Sequence, residues 1–205
     1  MTGYRLVNLI DLIEEYGEDE VKRILSDFSC PLNPDVEYFL REKAVSFSKM
    51  DLSITHLVYA SYKGAPVLVG YFALAYKNIV IPREFVGSSG STLRRRVNRF
   101  ARFDPSIGAY IMAAPLIGQL GKNYANGYNK LITGDELLNA ACQKILRVQH
   151  DVGGRFAYLE CEDNAKLLSF YEENGFIAFN ERPLDRDETD IINGKYLIQM
   201  IKYIH

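Results

Sequence analysis

Net charge is almost missing from this chain. Its 24 basic and 26 acidic side chains leave −2 over 205 residues, so no whole-chain electrostatic case exists for nucleic acid. Cysteine is scarce as well. Cys30, Cys142 and Cys161 are an odd number without metal-type spacing, which argues against a disulfide framework and a metal site and for three reduced thiols. No run of about 18 apolar residues occurs, so no membrane span is expected. The start carries Arg5 and then Asp11, Glu14 and Glu15, without the apolar block of a secretory signal, and a cytoplasmic protein is expected. The three histidines, His56, His150 and His205, stand in no catalytic spacing. There is no internal repeat and no low-complexity tract. What is there is 48% hydrophobic, enough for a substantial core. The length suits a single domain, residues 1–205, with one unusual insertion.

The first third alternates strand and helix signals. Residues 4–9 read as a strand, and apolar residues at 9, 10, 12, 13 and 16 have helical spacing before Gly17. Residues 18–25 place acidic residues early and Lys22 and Arg23 late, as a helix dipole favours. Asn33 followed by Pro34 is an N-cap and first-turn pair. Val36, Phe39, Leu40, Ala44 and Phe47 then form one buried helical face, with Glu37, Arg41, Glu42 and Lys43 solvated and given no catalytic role. Residues 53–61 and 67–76 flank a turn at Gly64 and Pro66 and read as a hairpin, with residues 78–81 as a third strand.

The insertion, at about 88–105, opens on the flexible Ser88–Ser91 stretch and continues as STLRRRVNRFARF. One face carries Leu93, Val97, Phe100 and Ala101. Arg95, Arg99 and Arg102 fall at i, i+4 and i+7 and make a basic stripe, flanked by Arg94 and Arg96. Clustered arginines supply sequence-independent affinity for nucleic-acid phosphates. The acidic residues of 181–190 are an alternative, internal partner, and a solvated helix face is a third reading.

Residues 153–179, GGRFAYLECEDNAKLLSFYEENGFIAF, read as strand, turn, helix, turn, strand. The apolar run 155–161 suits a buried strand, and one of Glu162, Asp163 and Asn164 should cap the following helix. Gly175 stands where a helix wants a left-handed C′ residue. The string FY-x-x-x-GF, made by Phe170, Tyr171, Gly175 and Phe176, resembles the C-terminal half of GNAT-type N-acetyltransferases. The run VLVGYFALAY resembles the central strand of the same family. Two further matches point to the branch of bacterial tRNA-acetylating toxins. Phe28, Cys30 and the Phe39-Leu40 helix match its N-terminal pattern, with Pro31 where that branch has glycine, and Ile117–Asn123 resembles its IGRLAVD motif.

The resemblance implies an α/β fold with a mixed, mostly antiparallel central sheet flanked by helices. It implies acetyl-CoA as donor and assigns roles. Tyr171 is the general acid for the departing thiolate, and Asn164 contacts the cofactor. Gln119, Leu120 and Gly121 lie at the acetyl group. Asn129, Lys130, Leu131, Ile132, Thr133, Gly134 and Asp135 take the place of the family's pyrophosphate loop, of whose glycines only Gly134 is kept. From the residues themselves, Thr133 to Glu136 is a capping box, and a helix N-terminus is suited to an anion. Glu160 is the best carboxylate for a general base, with an ion-pair role as its alternative. Cys161 reads as a buried core thiol.

A site without a clear base suits an amine that is neutral near cellular pH. An α-amine titrates near ~8 and a lysine near ~10.4. Three functions follow: acetylation of aminoacyl-tRNA with a toxin-like role and an antitoxin partner; acetylation of a small amine or peptide N-terminus; or a non-catalytic binding module. Homodimerisation is left open.

Overall fold

Alternating apolar residues build strands, and three-to-four spacing builds the helices between them, in the computed structural model, which describes residues 3–185 and 195–205. The chain divides into two compact units, Met1–Ala75 with Ile117–Ala141, and Tyr76–Leu116 with Cys142–His205. Among the described residues there are eight strands, and every pairing resolved between them, β1–β2, β2–β3, β4–β5, β6–β8 and β7–β8, is antiparallel. This is the mostly antiparallel α/β arrangement expected. No described helix is long and apolar enough to cross a membrane.

The first unit holds β1 (Tyr4–Asn8), β2 (Ile54–Tyr62), residues 65–75 of β3 (Ala65–Pro82) and residues 117–122 of β5 (Ala109–Lys122), in the strand order β1-β2-β3-β5. The β2–β3 hairpin turns on Lys63 and Gly64, both at positive φ (51° and 83°), the backbone that matches the twist of paired strands. Residues 78–81 are not a separate strand: they continue β3, which is 18 residues long. Two short helices follow β1: α1 (Leu9–Tyr16) and α2 (Glu18–Ser26).

Next come α3 (Pro34–Tyr38) and α4 (Ala44–Lys49), joined through a π-helical turn over Phe39–Lys43. Asn33 caps α3 as expected, accepting from the N–H groups of Asp35 and Val36. The sequence pattern reads as one uninterrupted helix because Val36, Leu40 and Ala44 all reach the core. The π turn preserves their direction while inserting extra backbone, which periodicity does not reveal. The core here is Leu9, Leu25, Phe28, Leu40, Leu57 and Tyr71, all fully buried.

In the second unit, β4 (Arg102–Asp104) pairs with β5, and the order continues β5-β6-β8-β7, with β6 (Phe156–Glu162), β7 (Ile177–Pro183) and β8 (Tyr196–Tyr203). Its helices are α5 (Arg83–Ser88), α6 (Ser91–Phe100) and α8 (Ala165–Glu173). The long α7 (Gly134–Val152) begins in the first unit and ends in the second. The core of this unit gathers Ile79, Ile81, Val97, Phe156, Tyr158 and Ile201. Of the acidic segment at 181–190, Glu181–Pro183 belong to β7, and residues 186–190 lie outside the described part.

Candidate active site

Tyr171 sits in the last turn of α8. Asn164 caps the start of that helix, its Oδ1 accepting from the N–H groups of Lys166 (2.9 Å) and Leu167 (3.4 Å). The end is closed by a pair of bonds from beyond the helix, Gly175 N–H to the Glu172 carbonyl (2.8 Å) and Phe176 N–H to the Tyr171 carbonyl (3.0 Å). That double closure needs a left-handed residue, supplied by Gly175 at φ 80°. The Tyr171 ring rests against Phe170 and edge-on to Phe176, with centroids 5.0 and 5.9 Å apart. Its hydroxyl makes no hydrogen bond to any described residue. Burial, with a smaller contribution from Cys161, pushes its pKa above the usual tyrosine value, so it keeps its proton at neutral pH.

Glu160 lies on β6 in the same unit and differs from the expectation of a general base. Its Oε2 is 2.7 Å from Arg182 and its Oε1 is 3.1 Å from Lys77 Nζ. Tyr158 donates a very short hydrogen bond to Oε1, and Gln199 Nε2 bonds both the Tyr158 hydroxyl (2.6 Å) and Oε1 (3.3 Å). Burial is the largest single influence and would raise its pKa. The Arg182 and Tyr158 hydrogen bonds and the Lys77 charge outweigh burial together and hold it at about 2. A carboxylate so saturated is a poor proton acceptor near neutral pH. The arrangement favours its alternative role, the hub of a buried charged network. Cys161 is likewise no nucleophile: burial, then Asp163 and Glu162, push its thiol up to about 11, and its sulfur contacts Met200.

In the first unit, the end of β5 is stitched to α3. Gln119 Nε2 donates to Asp35 Oδ2 at 2.9 Å, and the buried Tyr71 hydroxyl donates to the Val36 carbonyl at 2.6 Å. Gly121 allows this close approach, since a Cβ there would lie 2.2 Å from Val36 Cγ1. The neighbouring helix explains this glycine: it is a position where another segment approaches the strand closely. Leu120 is half-buried beside it.

The segment after β5 departs from a glycine cradle. Asn129 and Lys130 close a 3-10 turn spanning Ala125–Lys130. Leu131 N–H is bonded to the Tyr128 carbonyl. The capping box is present in full: Thr133 N–H bonds Glu136 Oε2 (2.8 Å), and Glu136 N–H bonds Thr133 Oγ1 (3.1 Å). Tyr4 also donates to that carboxylate and to the Leu131 carbonyl. Three backbone donors, on Leu131, Thr133 and Glu136, are therefore consumed internally.

Lys122 supplies what the backbone lacks. Its ammonium donates to the carbonyls of Asn129 (3.1 Å) and Ile132 (3.3 Å) and pairs with no carboxylate among the described residues. With the exposed Lys130 it places two cations beside the start of α7 at Gly134, whose first turn carries the carboxylates of Asp135 and Glu136, so the helix end and these lysines are the parts of the segment suited to a diphosphate. Sequence reading passed over Lys122 because it lies inside an apolar strand run.

Glu37 was also missed. It accepts from Cys30 N–H (2.6 Å) and Ser29 Oγ (3.2 Å) and pairs with Arg41 (2.8 Å). Its i, i+4 arginine is the only sequence hint, and that pattern is common on solvated helices.

The basic stripe is only partly helical. α6 ends at Phe100 and Ala101 is extended, so Arg102 stands on β4, opposite Ile111, instead of completing an i+7 stripe. Arg95, Arg99 and Arg102 are exposed and form no ion pair among the described residues. Arg94 is spent locally, donating to the carbonyls of Val86, Gly87 and Ser89. Arg96 covers the Tyr203 ring, 3.9 Å from its centroid.

No family model matches the sequence, and no curated protein does. Solved structures do match in three dimensions. AtaT complexed with acetyl-methionyl-tRNAfMet superposes with a TM-score of 0.60 at 14% identity, over 95% of this chain and 93% of that chain. A tyrosine-to-phenylalanine mutant of KacT gives 0.58 at 15%, over 96% and 94%. AtaTR bound with AcCoA gives 0.53 at 16%, over 97% and 93%. At such identity the likeness is one of fold: this chain has the GNAT-like α/β fold of those toxins.

Proposed function

We propose that this protein is an acetyl-CoA-dependent N-acetyltransferase whose acceptor is the α-amino group of an aminoacyl-tRNA, acting as a toxin held in check by an antitoxin in the cytoplasm. The observation that carries the reading is Tyr171, a hydroxyl kept protonated, bonded to no described residue, and carried on a short helix closed at both ends. The fold supports it, because AtaT shares that fold and was solved with acetyl-methionyl-tRNAfMet and AtaTR with AcCoA.

Acetyl-CoA brings a thioester-activated acetyl group. Lys122, Lys130 and the N-terminal end of α7 are assigned to its diphosphate, and the chain at Gln119, Leu120 and Gly121 to its acetyl end. As the amine nitrogen bonds the carbonyl carbon and the carbon–sulfur bond breaks, Tyr171 Oη gives its proton to the departing sulfur. The proton released by the acylated amine nitrogen returns to the tyrosinate, so that the amide and the free thiol form with Tyr171 restored. The amine must arrive neutral, because Glu160 is committed to Arg182, Lys77 and Tyr158. An α-amine meets that condition at a pH roughly 2 units lower than a lysine side chain does. Arg95, Arg99 and Arg102 are assigned to tRNA phosphates.

Transfer of labelled acetyl from acetyl-CoA tests the reading. Charged tRNA should be modified and deacylated tRNA should not. Faster modification of small amines or peptide N-termini would replace the acceptor. No turnover with any of them would leave a binding module.

A further inference from the structure

The second unit contains an open groove of about 540 Å³, within the roughly 300–1,000 Å³ typical of small-molecule-sized sites. Phe85, Leu93, Ile177, Ile201 and Tyr203 line it, and Arg96 spreads its guanidinium over the Tyr203 ring at its wall. Thr92 also lines it, and its hydroxyl bonds to no described residue. Arg95 and Arg99 lie on the same helix as the lining residues Thr92, Leu93 and Arg96, and Arg102 on the strand that follows it; all three are exposed and without carboxylate partners among the described residues.

We propose that this groove seats an unpaired nucleobase of the RNA acceptor, stacked on the Arg96 guanidinium, while the neighbouring arginines hold the flanking phosphates. The inference rests on the RNA-acceptor reading above and deepens it. Single-stranded RNA is gripped by a planar face for the base and cations for the backbone. Here both lie within one ten-residue helix and the strand after it. A guanidinium held 3.9 Å from a ring centroid has a second planar face that can stack on another flat group. An aliphatic peptide side chain gains little from that face, whereas a base gains a stacking surface. The open Thr92 hydroxyl can bond a base edge.

The groove is not the reacting centre. Gly175 and Ile177 line it, whereas Phe176 between them turns its ring to Tyr171. The base held here therefore belongs to a nucleotide other than the one bearing the amine, and it acts as a second grip on the same RNA.

The test is fluorescence anisotropy of the full chain with a short single-stranded oligoribonucleotide and its abasic counterpart. The wild type should bind the base-bearing strand about tenfold more tightly. Leu93→Asp should abolish that preference and keep the salt dependence. Ile177→Glu, at an exposed position on β7, is the second variant in case the first does not fold. Arg95→Gln with Arg99→Gln should do the reverse, keeping the preference while flattening the slope of log K against log salt by about 1.4, the value for two single-strand phosphate contacts.

Equal binding of the two strands by the wild type would overturn the proposal, as would an unchanged preference in a folded Leu93→Asp or Ile177→Glu protein. An acidic amphipathic peptide that binds more tightly than the oligonucleotide, and loses this in the same variants, would overturn it in favour of protein docking. The acetylation assay is separate. Oligonucleotide preference without acetyl transfer to charged tRNA removes the acceptor reading and leaves the groove; transfer without preference does the opposite.

Discussion

Replacing Glu160 with glutamine decides whether this carboxylate is a base or a structural hub. The side chain is 9% exposed and lies against Arg182 at 18% and Lys77 at 39%. Its carboxyl is held at about 2, against an ordinary 4.5. A difference of about 2.5 pH units at ~1.36 kcal/mol each is worth about 3 kcal/mol of stability at neutral pH. That matches the roughly 3–5 kcal/mol lost when one member of a buried pair is removed. For a chain of this size each kcal/mol moves Tm by roughly 2–4 °C, so Glu160→Gln should melt roughly 6–12 °C lower.

The pH dependence has a definite sign. The folded pKa lies below the unfolded one, so the unfolded chain binds more protons between them. The wild type therefore keeps this stabilisation above about pH 4.5 and loses it as the pH falls through about 2. The variant has no such contribution to lose in that window. Calorimetry from pH 2 to 7 measures both effects, and turnover at 20 °C, where both proteins are folded, should agree within a few-fold. An unchanged Tm with kcat reduced 100-fold would refute the argument and restore Glu160 as the base.

Three other outcomes are expected. Tyr171→Phe should lower kcat by ~10²–10⁴-fold with almost unchanged Tm and acetyl-CoA affinity, because its hydroxyl has no partner among the described residues to lose; full activity would end its role as the acid. Gly121→Ala should cost about 1–3 kcal/mol by overpacking against Val36, and Val36→Ala in the same chain should recover part of that loss by calorimetry; simple additivity of the two changes would refute the contact. Glu37→Ala should destabilise by about 1–3 kcal/mol, since Cys30 N–H and Arg41 lose their acceptor, and a denaturant midpoint equal to the wild type would show that these bonds contribute nothing.

Local physics is written directly in the sequence, and there the reading and the structure agree. Asn33 and Asn164 cap their helices, Gly175 closes α8, and Thr133 with Glu136 forms a capping box. In each case the partners are no more than about five residues apart, so neighbouring side-chain and backbone chemistry suffices. The apolar runs that became β2, β3 and β6 were legible for the same reason.

What spacing along the chain could not give was contact between distant segments. Gly121 is a glycine because Val36 is packed on it. Lys122 reads as one residue of a strand until the loop at 129–132 folds its carbonyls over the ammonium. Glu160 looks like a free carboxylate until Lys77 and Arg182, 83 and 22 residues away, arrive to neutralise it. The π turn at Phe39–Lys43 hides behind a helical pattern that it leaves intact, and Arg102 leaves the basic stripe because β4 pairs with β5. The sequence alone determined most of the helices and strands and the caps that end them, since those energies are local. Only the tertiary structure decided which charges are spent on the fold and which remain for a partner, because that depends on what each side chain meets.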